Sequence, residues 1–115
     1  MGYETSFSLS IEPGSHSEKE IFWELRKNDN ACYALNISEA DSEYECRAPA
    51  KWYSHEKDML ALSKKFPEAT FLLEGEGEEQ GDLWKHHYRN GRVQRRNAII
   101  SFTEYDPTWD NALDH

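Results

Sequence analysis

A chain of 115 residues with 37% hydrophobic residues is long enough for one domain with a modest two-layer core, and a second domain is not expected. Its 22 Asp and Glu against 13 Lys and Arg give a formal charge of −9, which argues against a general binder of nucleic acid or of anionic membranes. Because no apolar run approaches the roughly 18 residues that span a bilayer, and no signal-peptide pattern opens the chain, we expect a cytoplasmic protein.

The first strand and the first helix are predicted from periodicity. Residues 3–11 place apolar side chains on one face and serines on the other, which indicates a half-buried strand. Ser17 followed by Glu20 is a capping-box pattern, and the apolar residues behind it recur at helical spacing. We therefore expect a short amphipathic helix that ends in the segment from Asn28 to Asn30.

Two further strands are predicted at residues 31–37 and 44–50, joined by a polar turn. If these strands form a hairpin, Cys32 and Cys46 lie almost opposite each other. Reduced thiols are the favoured interpretation for a cytosolic chain of this size, and a disulfide in an oxidised sample is the alternative.

The second half of the chain predicts a helix followed by strands. Ser54 caps a helix whose apolar residues fall at positions i, i+3 and i+7, and a proline stops it. A strand begins at residues 70–73 and enters a glycine-rich acidic turn. A short alternating run then leads to Asn90-Gly91, a strong hairpin signal, and residues 93–102 return as the last strand.

The predicted order is strand, helix, strand, strand, helix, strand, followed by an additional hairpin. We expect an α+β fold, namely a ferredoxin-like two-layer sandwich with a mainly antiparallel sheet, two helices on one face and an extra C-terminal hairpin. Residues 1–105 form this single domain, and residues 106–115 form a polar C-terminal tail.

Charge is sorted along the second half of the chain. The acidic segment carries five carboxylates: Glu74, Glu76, Glu78, Glu79 and Asp82. The basic segment follows at once and holds five of the 13 Lys and Arg residues: Lys85, Arg89, Arg92, Arg95 and Arg96. Cross-strand pairing of Glu76 or Glu78 with these bases is the favoured structural interpretation. A surface with two opposite poles also suits a charged macromolecular partner.

The sequence contains no recognisable catalytic or phosphate-binding motif. Gly75, Gly77 and Gly81 lack the spacing of a phosphate loop, and the carboxylates around them would repel phosphate. Those carboxylates could hold Ca²⁺ or Mg²⁺, but the ligand order of a calcium loop is missing, so a solvated or partner-facing turn is preferred. His86 and His87 are adjacent and point to opposite faces of a strand, so they do not share a metal. We expect no enzyme activity and no cofactor.

The second half of the chain resembles a known family. The segment from Lys51 to Pro67 contains the predicted helix and ends in Phe-Pro, the strand from Phe71 leads into a Gly-x-Gly turn before Trp84, and an aromatic hairpin ends at a glycine. This combination is similar to small uncharacterised proteins of phages, prophages and plasmids with a YubB-type ferredoxin-like domain. The resemblance covers residues 51–102 and implies the fold and a mobile-element setting, and it carries over no catalytic residues.

The predicted function is that of a non-enzymatic protein-interaction module. An unpaired carboxylate surface can occupy a nucleic-acid-binding cleft of another protein because it carries the same sign of charge as phosphate. We expect a phage-derived acidic inhibitor, similar to an anti-CRISPR protein, that binds a bacterial defence nuclease or effector complex in the host cytoplasm. The acidic segment meets basic residues of the target, and Trp84 or Tyr88 anchors the contact.

A small-ligand or nucleotide-binding domain is the alternative. The basic residues of the hairpin would then hold phosphate while Trp84 or Tyr88 stacks on a base. A direct membrane partner is not expected. Exposed edge strands after Asn90-Gly91 make a homodimer plausible.

Overall fold

The computed structural model describes residues 3–102, 104–105 and 107–108 and confirms the predicted α+β class. In this part of the chain the elements are β1 (Thr5–Glu12), α1 (Glu18–Arg26), α2 (Asp29–Leu35), β2 (Glu43–Glu45), α3 (His55–Lys65), β3 (Thr70–Gly77), β4 (Leu83–Arg89) and β5 (Arg92–Asn97).

The five strands form an antiparallel sheet in the order β2-β1-β3-β4-β5. β1 and β3 pair along their full lengths, beginning with Thr5 opposite Gly77. β4 and β5 form the C-terminal hairpin, and its turn residues Asn90 and Gly91 both have positive φ, as a tight two-residue turn requires. The predicted hairpin is confirmed.

The helices cover one face of the sheet. Every second side chain of β1 and β3 points into the core, because successive residues of a strand face opposite sides. These side chains and apolar residues of the helices belong to one buried cluster, which includes Phe7, Leu9, Ile11, Phe71 and Leu73 from the strands and Ile21, Phe22, Leu25, Ala34, Leu35, Met59 and Leu62 from the helices. The sheet therefore has a covered face, which packs against the helices, and an open face.

The two predicted helices are present as α1 and α3. Ser17 caps α1, where its side chain accepts a hydrogen bond from the backbone N–H of Lys19 at 3.2 Å. At the start of α3, the carboxylate of Asp58 accepts hydrogen bonds from the hydroxyl of Ser54 at 2.8 Å and from the indole N–H of Trp52 at 2.7 Å. The side chain of Ser54 makes no capping bond to the helix backbone, so the predicted cap is corrected to this contact with Asp58. The apolar residues of α3 reach the core as their spacing predicts.

The strand prediction for residues 31–37 is wrong, because α2 occupies most of this segment. Asn28, taken from the sequence as part of a helix end, instead caps a new helix, and its side chain accepts a hydrogen bond from the N–H of Ala31 at 3.0 Å. α2 ends at Asn36, which adopts the left-handed conformation with φ of 51°. The element order therefore has a helix where the sequence predicts a second strand.

The two cysteines do not face each other across a hairpin. Cys32 lies in α2, with its Sγ 3.5 Å from the carbonyl oxygen of Arg26, and Cys46 follows β2. Both thiols are free. Burial raises the pKa of the Cys32 thiol, which keeps it protonated at neutral pH.

The predicted strand at residues 44–50 is corrected to two short contacts with β1. β2 covers only Glu43–Glu45, and Ala50 forms a separate bridge in which the N–H of Thr5 donates to its carbonyl oxygen at 2.9 Å. Pro49 precedes this bridge and has no N–H with which to continue a ladder.

β3 is longer and β5 is shorter than predicted. β1 pairs with β3 as far as Gly77, so Glu74 and Glu76 belong to a strand and not to the acidic turn. The turn is closed by a hydrogen bond from the N–H of Gly77 to the carbonyl oxygen of Asp82 at 2.8 Å. β5 ends at Asn97, before the apolar residues that the prediction includes in it.

Of the predicted tail at residues 106–115, the structure describes only residues 107 and 108, and the remainder lies outside the described residues. None of the helices in the described ranges is long and apolar enough to cross a membrane.

Candidate interaction face of the sheet

The open face of the sheet gathers most of the charged residues that the sequence singles out. Because side chains alternate along each strand, the register of the sheet determines which residues share this face. Its members are Glu43 and Glu45 from β2, Ser6, Ser8, Ser10 and Glu12 from β1, Thr70, Leu72, Glu74 and Glu76 from β3, Leu83, Lys85, His87 and Arg89 from β4, and Arg92, Gln94 and Arg96 from β5.

Charge changes sign across this face. The acidic half consists of the open-face carboxylates of β2 and β3: Glu43, Glu45, Glu74 and Glu76. The basic half consists of the open-face cations of β4 and β5: Lys85, Arg89, Arg92 and Arg96. A single row across the sheet runs through Glu45, Ser8, Glu74, Lys85 and Arg96. The open face is therefore an electric dipole with one pole at each edge of the sheet.

The two halves meet at one ion pair. The ammonium of Lys85 lies 3.7 Å from the carboxylate of Glu74. Both side chains are largely exposed, so this pair stabilises the fold little. The acidic partner in this cross-strand pair is therefore Glu74, and not Glu76 or Glu78 as predicted. Glu76 lies opposite Leu83, and the carboxylate of Glu78 accepts a hydrogen bond from the N–H of Glu4 at 2.9 Å.

The acidic turn is partly used to hold the N-terminal strand. The hydroxyl of Tyr3 donates to the carboxylate of Asp82 at 2.5 Å and accepts from the N–H of Glu79 at 3.0 Å. The hydrogen bond to Asp82 raises the pKa of Tyr3. Asp82 and Glu78 thus have structural partners, whereas the side chains of Glu76 and Glu79 are exposed and available to a binding partner.

The basic half contains two cross-strand pairs of like charge. Arg89 lies directly opposite Arg92, and Lys85 lies directly opposite Arg96. Like charges at opposed positions destabilise a sheet, so stability does not account for this arrangement. An anionic partner placed over the hairpin would remove the repulsion.

Arg95 is separated from the other predicted ligand-binding cations. It points to the covered face, where its guanidinium donates two hydrogen bonds to the carboxylate of Glu56 in α3, at 2.6 and 2.8 Å. This two-point contact connects β5 to α3 and raises the pKa of Arg95. The prediction that Arg95 binds ligand together with Arg89, Arg92 and Arg96 is corrected by this placement.

The predicted aromatic anchors also lie on the covered face. Tyr88 is completely buried, its hydroxyl lies 3.0 Å from Nδ1 of His86, and burial raises its pKa. Trp84 is half-buried and stacks on His55 of α3, with ring centroids 4.9 Å apart and planes inclined by 17°. Tyr88 is therefore a core residue that cannot stack on a base held by the open-face cations, whereas Trp84 is already stacked on His55.

A cavity of about 530 Å³ lies over the seam between the two halves. Its lining includes Glu45 and Glu74 from the acidic half and Lys85 and Arg96 from the basic half. Leu83 and part of Trp84 provide apolar surface beside these charges. The cavity is the position on the open face where groups of both signs converge.

Glu43 and Glu45 join the acidic half only because β2 pairs with β1. These two glutamates are not among the residues that the sequence predicts for the site. The signal was their alternation around Tyr44, which is buried while both glutamates are exposed. In the described part of the chain, neither glutamate forms an ion pair.

The histidines divide between the faces as predicted. His86 is on the covered face beside Trp84, and His87 is on the open face between Leu72 and Gln94. Burial lowers the pKa of His86. No group of three or more His, Cys, Asp or Glu side chains among the described residues is arranged to hold a metal ion.

Comparison of the chain with protein-family models, curated proteins and solved structures found no match.

Proposed function

We propose that this chain is a non-enzymatic protein-interaction module that binds a basic surface of another protein through the acidic half of its open face. The observation that supports this most directly is the grouping of Glu43, Glu45 and Glu76, exposed and without cationic partners among the described residues, on one side of an uncovered sheet. Stability does not account for this grouping, since like charges repel and none of the three carboxylates has a cation beside it among the described residues.

A surface of this kind is complementary to a nucleic-acid-binding cleft. Clefts that hold a phosphate backbone are lined by Lys and Arg, and carboxylates can occupy the same positions as phosphates. The exposed carboxylate of Glu79 in the turn extends the acidic half beyond the sheet. The positive charge of the basic half would then orient the module, because the cleft is also positively charged and repels that half.

The specific form of this proposal is a phage-derived inhibitor, similar to an anti-CRISPR protein, that acts in the host cytoplasm on a bacterial defence nuclease or effector complex. The resemblance of residues 51–102 to YubB-type domains supports the mobile-element setting. The same resemblance supports a ferredoxin-like fold, together with the antiparallel sheet and its helical layer, although α2 replaces one strand of that pattern.

The test is a pull-down with the full tagged chain from lysates of bacteria that carry diverse defence systems. We expect a nucleic-acid-binding protein to be retained at low salt and to be released at high salt, because ions screen exposed charges. The variant E43K/E76K should lose this protein. The matched control E18K/E20K reverses the same number of charges on α1 and should retain it.

Equal retention by both variants would remove the acidic half from the proposal. Retention of metabolic enzymes with no nucleic-acid-binding surface would contradict the proposed class of target. Circular dichroism of each variant confirms that a lost interaction does not reflect lost structure.

The alternative function is binding of a small anionic ligand, such as a nucleotide, at the seam cavity. The like-charge pair that lines this cavity favours it, because a phosphate between Lys85 and Arg96 would neutralise their repulsion. Base stacking on Tyr88 is no longer part of this alternative, since that ring is buried.

Thermal shift assays with a series of nucleotides test this alternative. A binding nucleotide should raise the Tm of the native chain in proportion to its saturation. The variant K85Q/R96Q should lose the shift, while the control K19Q, on α1, should keep it. If no nucleotide raises the Tm of the native chain at saturating concentration, the alternative is wrong.

A further inference from the structure

An uncharged apolar segment, residues 98–102, follows the edge strand β5. Ile99 is 92% exposed, Ile100 is 60% exposed and Phe102 is 93% exposed. Exposed apolar residues that are contiguous in sequence are uncommon on monomers and commonly mark an interface. The segment is therefore a candidate interface that is separate from the open face.

The first residue of the segment is in line with the sheet. The N–H of Ala98 donates to the carbonyl oxygen of Leu83 at 2.9 Å, which continues the β4–β5 register by one residue. Further along, Ile100 touches the acidic turn, where its Cδ1 lies 3.1 Å from the position that a Cβ on Gly81 would take. The start of the segment is thus fixed against β4 and the acidic turn, while Ile99 and Phe102 are exposed.

β5 is an edge strand, since within the described sheet it pairs only with β4. The backbone groups on its outer side are therefore available to an additional strand. A symmetric contact through β5 itself is disfavoured, because Arg92, Arg95 and Arg96 would lie close to the same residues of a second copy. A contact centred on the apolar segment avoids this repulsion.

Charge complementarity points to a second copy of the chain as the occupant. Arg96 lies four residues before Ile100, and Glu104 lies four residues after it. If two copies pair antiparallel with Ile100 opposite Ile100, each Arg96 lies opposite Glu104 of the other copy. Phe102 of each copy then lies opposite Ala98 of the other, and opposite charges meet at both ends.

We propose that two copies of this chain associate through antiparallel pairing of the segments centred on Ile100. The contact is isologous, so it closes as a two-fold dimer. It goes beyond the proposed binding function, because it uses the edge of the sheet and not the carboxylates of the acidic half. A dimer of this kind would present two open faces to a target.

Sedimentation velocity of the full chain over a roughly hundredfold concentration range tests this pairing. We expect a reversible monomer–dimer equilibrium. I100D should weaken the dimer at least about tenfold, because it places two carboxylates against each other at the centre. The matched control Y33D introduces the same charge at an exposed aromatic residue of α2 and should leave the equilibrium unchanged. A native chain that stays monomeric throughout the range, or equal weakening by Y33D, would overturn the proposal.

A charge swap tests the register. E104R places like charges opposite each other and should weaken the dimer several-fold, whereas the double variant R96E/E104R restores the opposite charges and should recover most of the affinity. Failure of the double variant to recover would contradict this register. As a second test, I100C should form an intermolecular disulfide on mild oxidation, and I99C should form much less. Equal cross-linking of both would also contradict it.

Discussion

The two faces of the β4–β5 hairpin differ in composition although they come from the same short strands. On the covered face, Trp84, His86 and Tyr88 pack beneath α3, and Arg95 is held by Glu56. On the open face, the intervening cations have only Glu74 as an ionic partner among the described residues. The covered residues account for stability, and the open residues are therefore the ones left for function.

The comparison also separates two kinds of charge. Arg95 and Glu56 form a short two-point ion pair that contributes to packing of α3 on the sheet. Arg89 and Arg92 are placed so that they repel each other. Charges that a fold arranges against its own stability are candidates for binding, whereas satisfied charges are not.

The largest expected difference between the faces concerns Tyr88 and its neighbour in sequence. Y88A leaves a cavity in the core and should lower the free energy of unfolding by about 3–5 kcal/mol. R89A removes an exposed side chain and should change it by less than about 0.5 kcal/mol. Urea denaturation of both variants measures the difference. Similar values for the two would contradict the assignment of the faces.

A smaller effect is expected where Trp84 lies over β3. A Cβ on Gly75 would come within 2.2 Å of the indole ring of Trp84, so G75A must displace this ring from its stack with His55. We expect a loss of about 1–3 kcal/mol. The adjacent change E76A, on the open face, serves as the control and should be close to neutral in the same denaturation assay.

As the pH falls, the buried histidines of the covered face should lower the stability of the fold before the carboxylates become protonated. Burial lowers the pKa of His55 and of His86 below the ordinary value of 6.5, so the unfolded chain takes up these protons first. The stability they contribute is present above pH 6.5 and is lost as the pH falls towards their folded-state values.

The measurement is the Tm of the native chain and of H55F between about pH 7.5 and about pH 5.5. Phe keeps a ring against Trp84 but does not titrate, and it removes a buried Nδ1 that has no hydrogen-bond partner among the described residues. We expect a smaller fall in Tm for H55F than for the native chain. An equal fall would show that His55 does not contribute to the acid response.

The smallest expected effect is a gain in stability on the open face. R92E places a carboxylate opposite Arg89 and converts a repulsive cross-strand pair into an attractive one. The free energy of unfolding should rise by about 0.2–1 kcal/mol, and the gain should decrease at high salt. A loss of stability would mean that Arg92 has a structural role that its exposure does not indicate.

The parts of the fold that depend on local chemistry could be predicted from the sequence. Asn90-Gly91 fixes the turn of the last hairpin, the Ser17 cap marks the start of α1, and the spacing of the apolar residues identifies α3. α2 was missed because Asn28 is compatible with both a helix end and a helix cap, and only the packing of the following apolar residues on β1 decides between them.

The sequence predicts which hairpin residues belong to the candidate site, but not which of them lie on each face of the sheet. The sequence places five cations and two aromatic rings in one hairpin, and alternation alone shows that they split into two sets. It does not show which set α3 covers, because that depends on how the helix crosses the sheet. The contribution of Glu43 and Glu45 depends on the pairing of β2 with β1, a long-range contact that no local pattern specifies.

Residue-resolved NMR titration of the full chain with an oligolysine peptide tests most directly whether the acidic half is the binding surface. The account predicts salt-sensitive shifts at Glu43, Glu45, Glu74 and Glu76, with little change in α1 or in the covered-face residues His86 and Tyr88. Shifts spread over the helices, or absent from the acidic half, would contradict it.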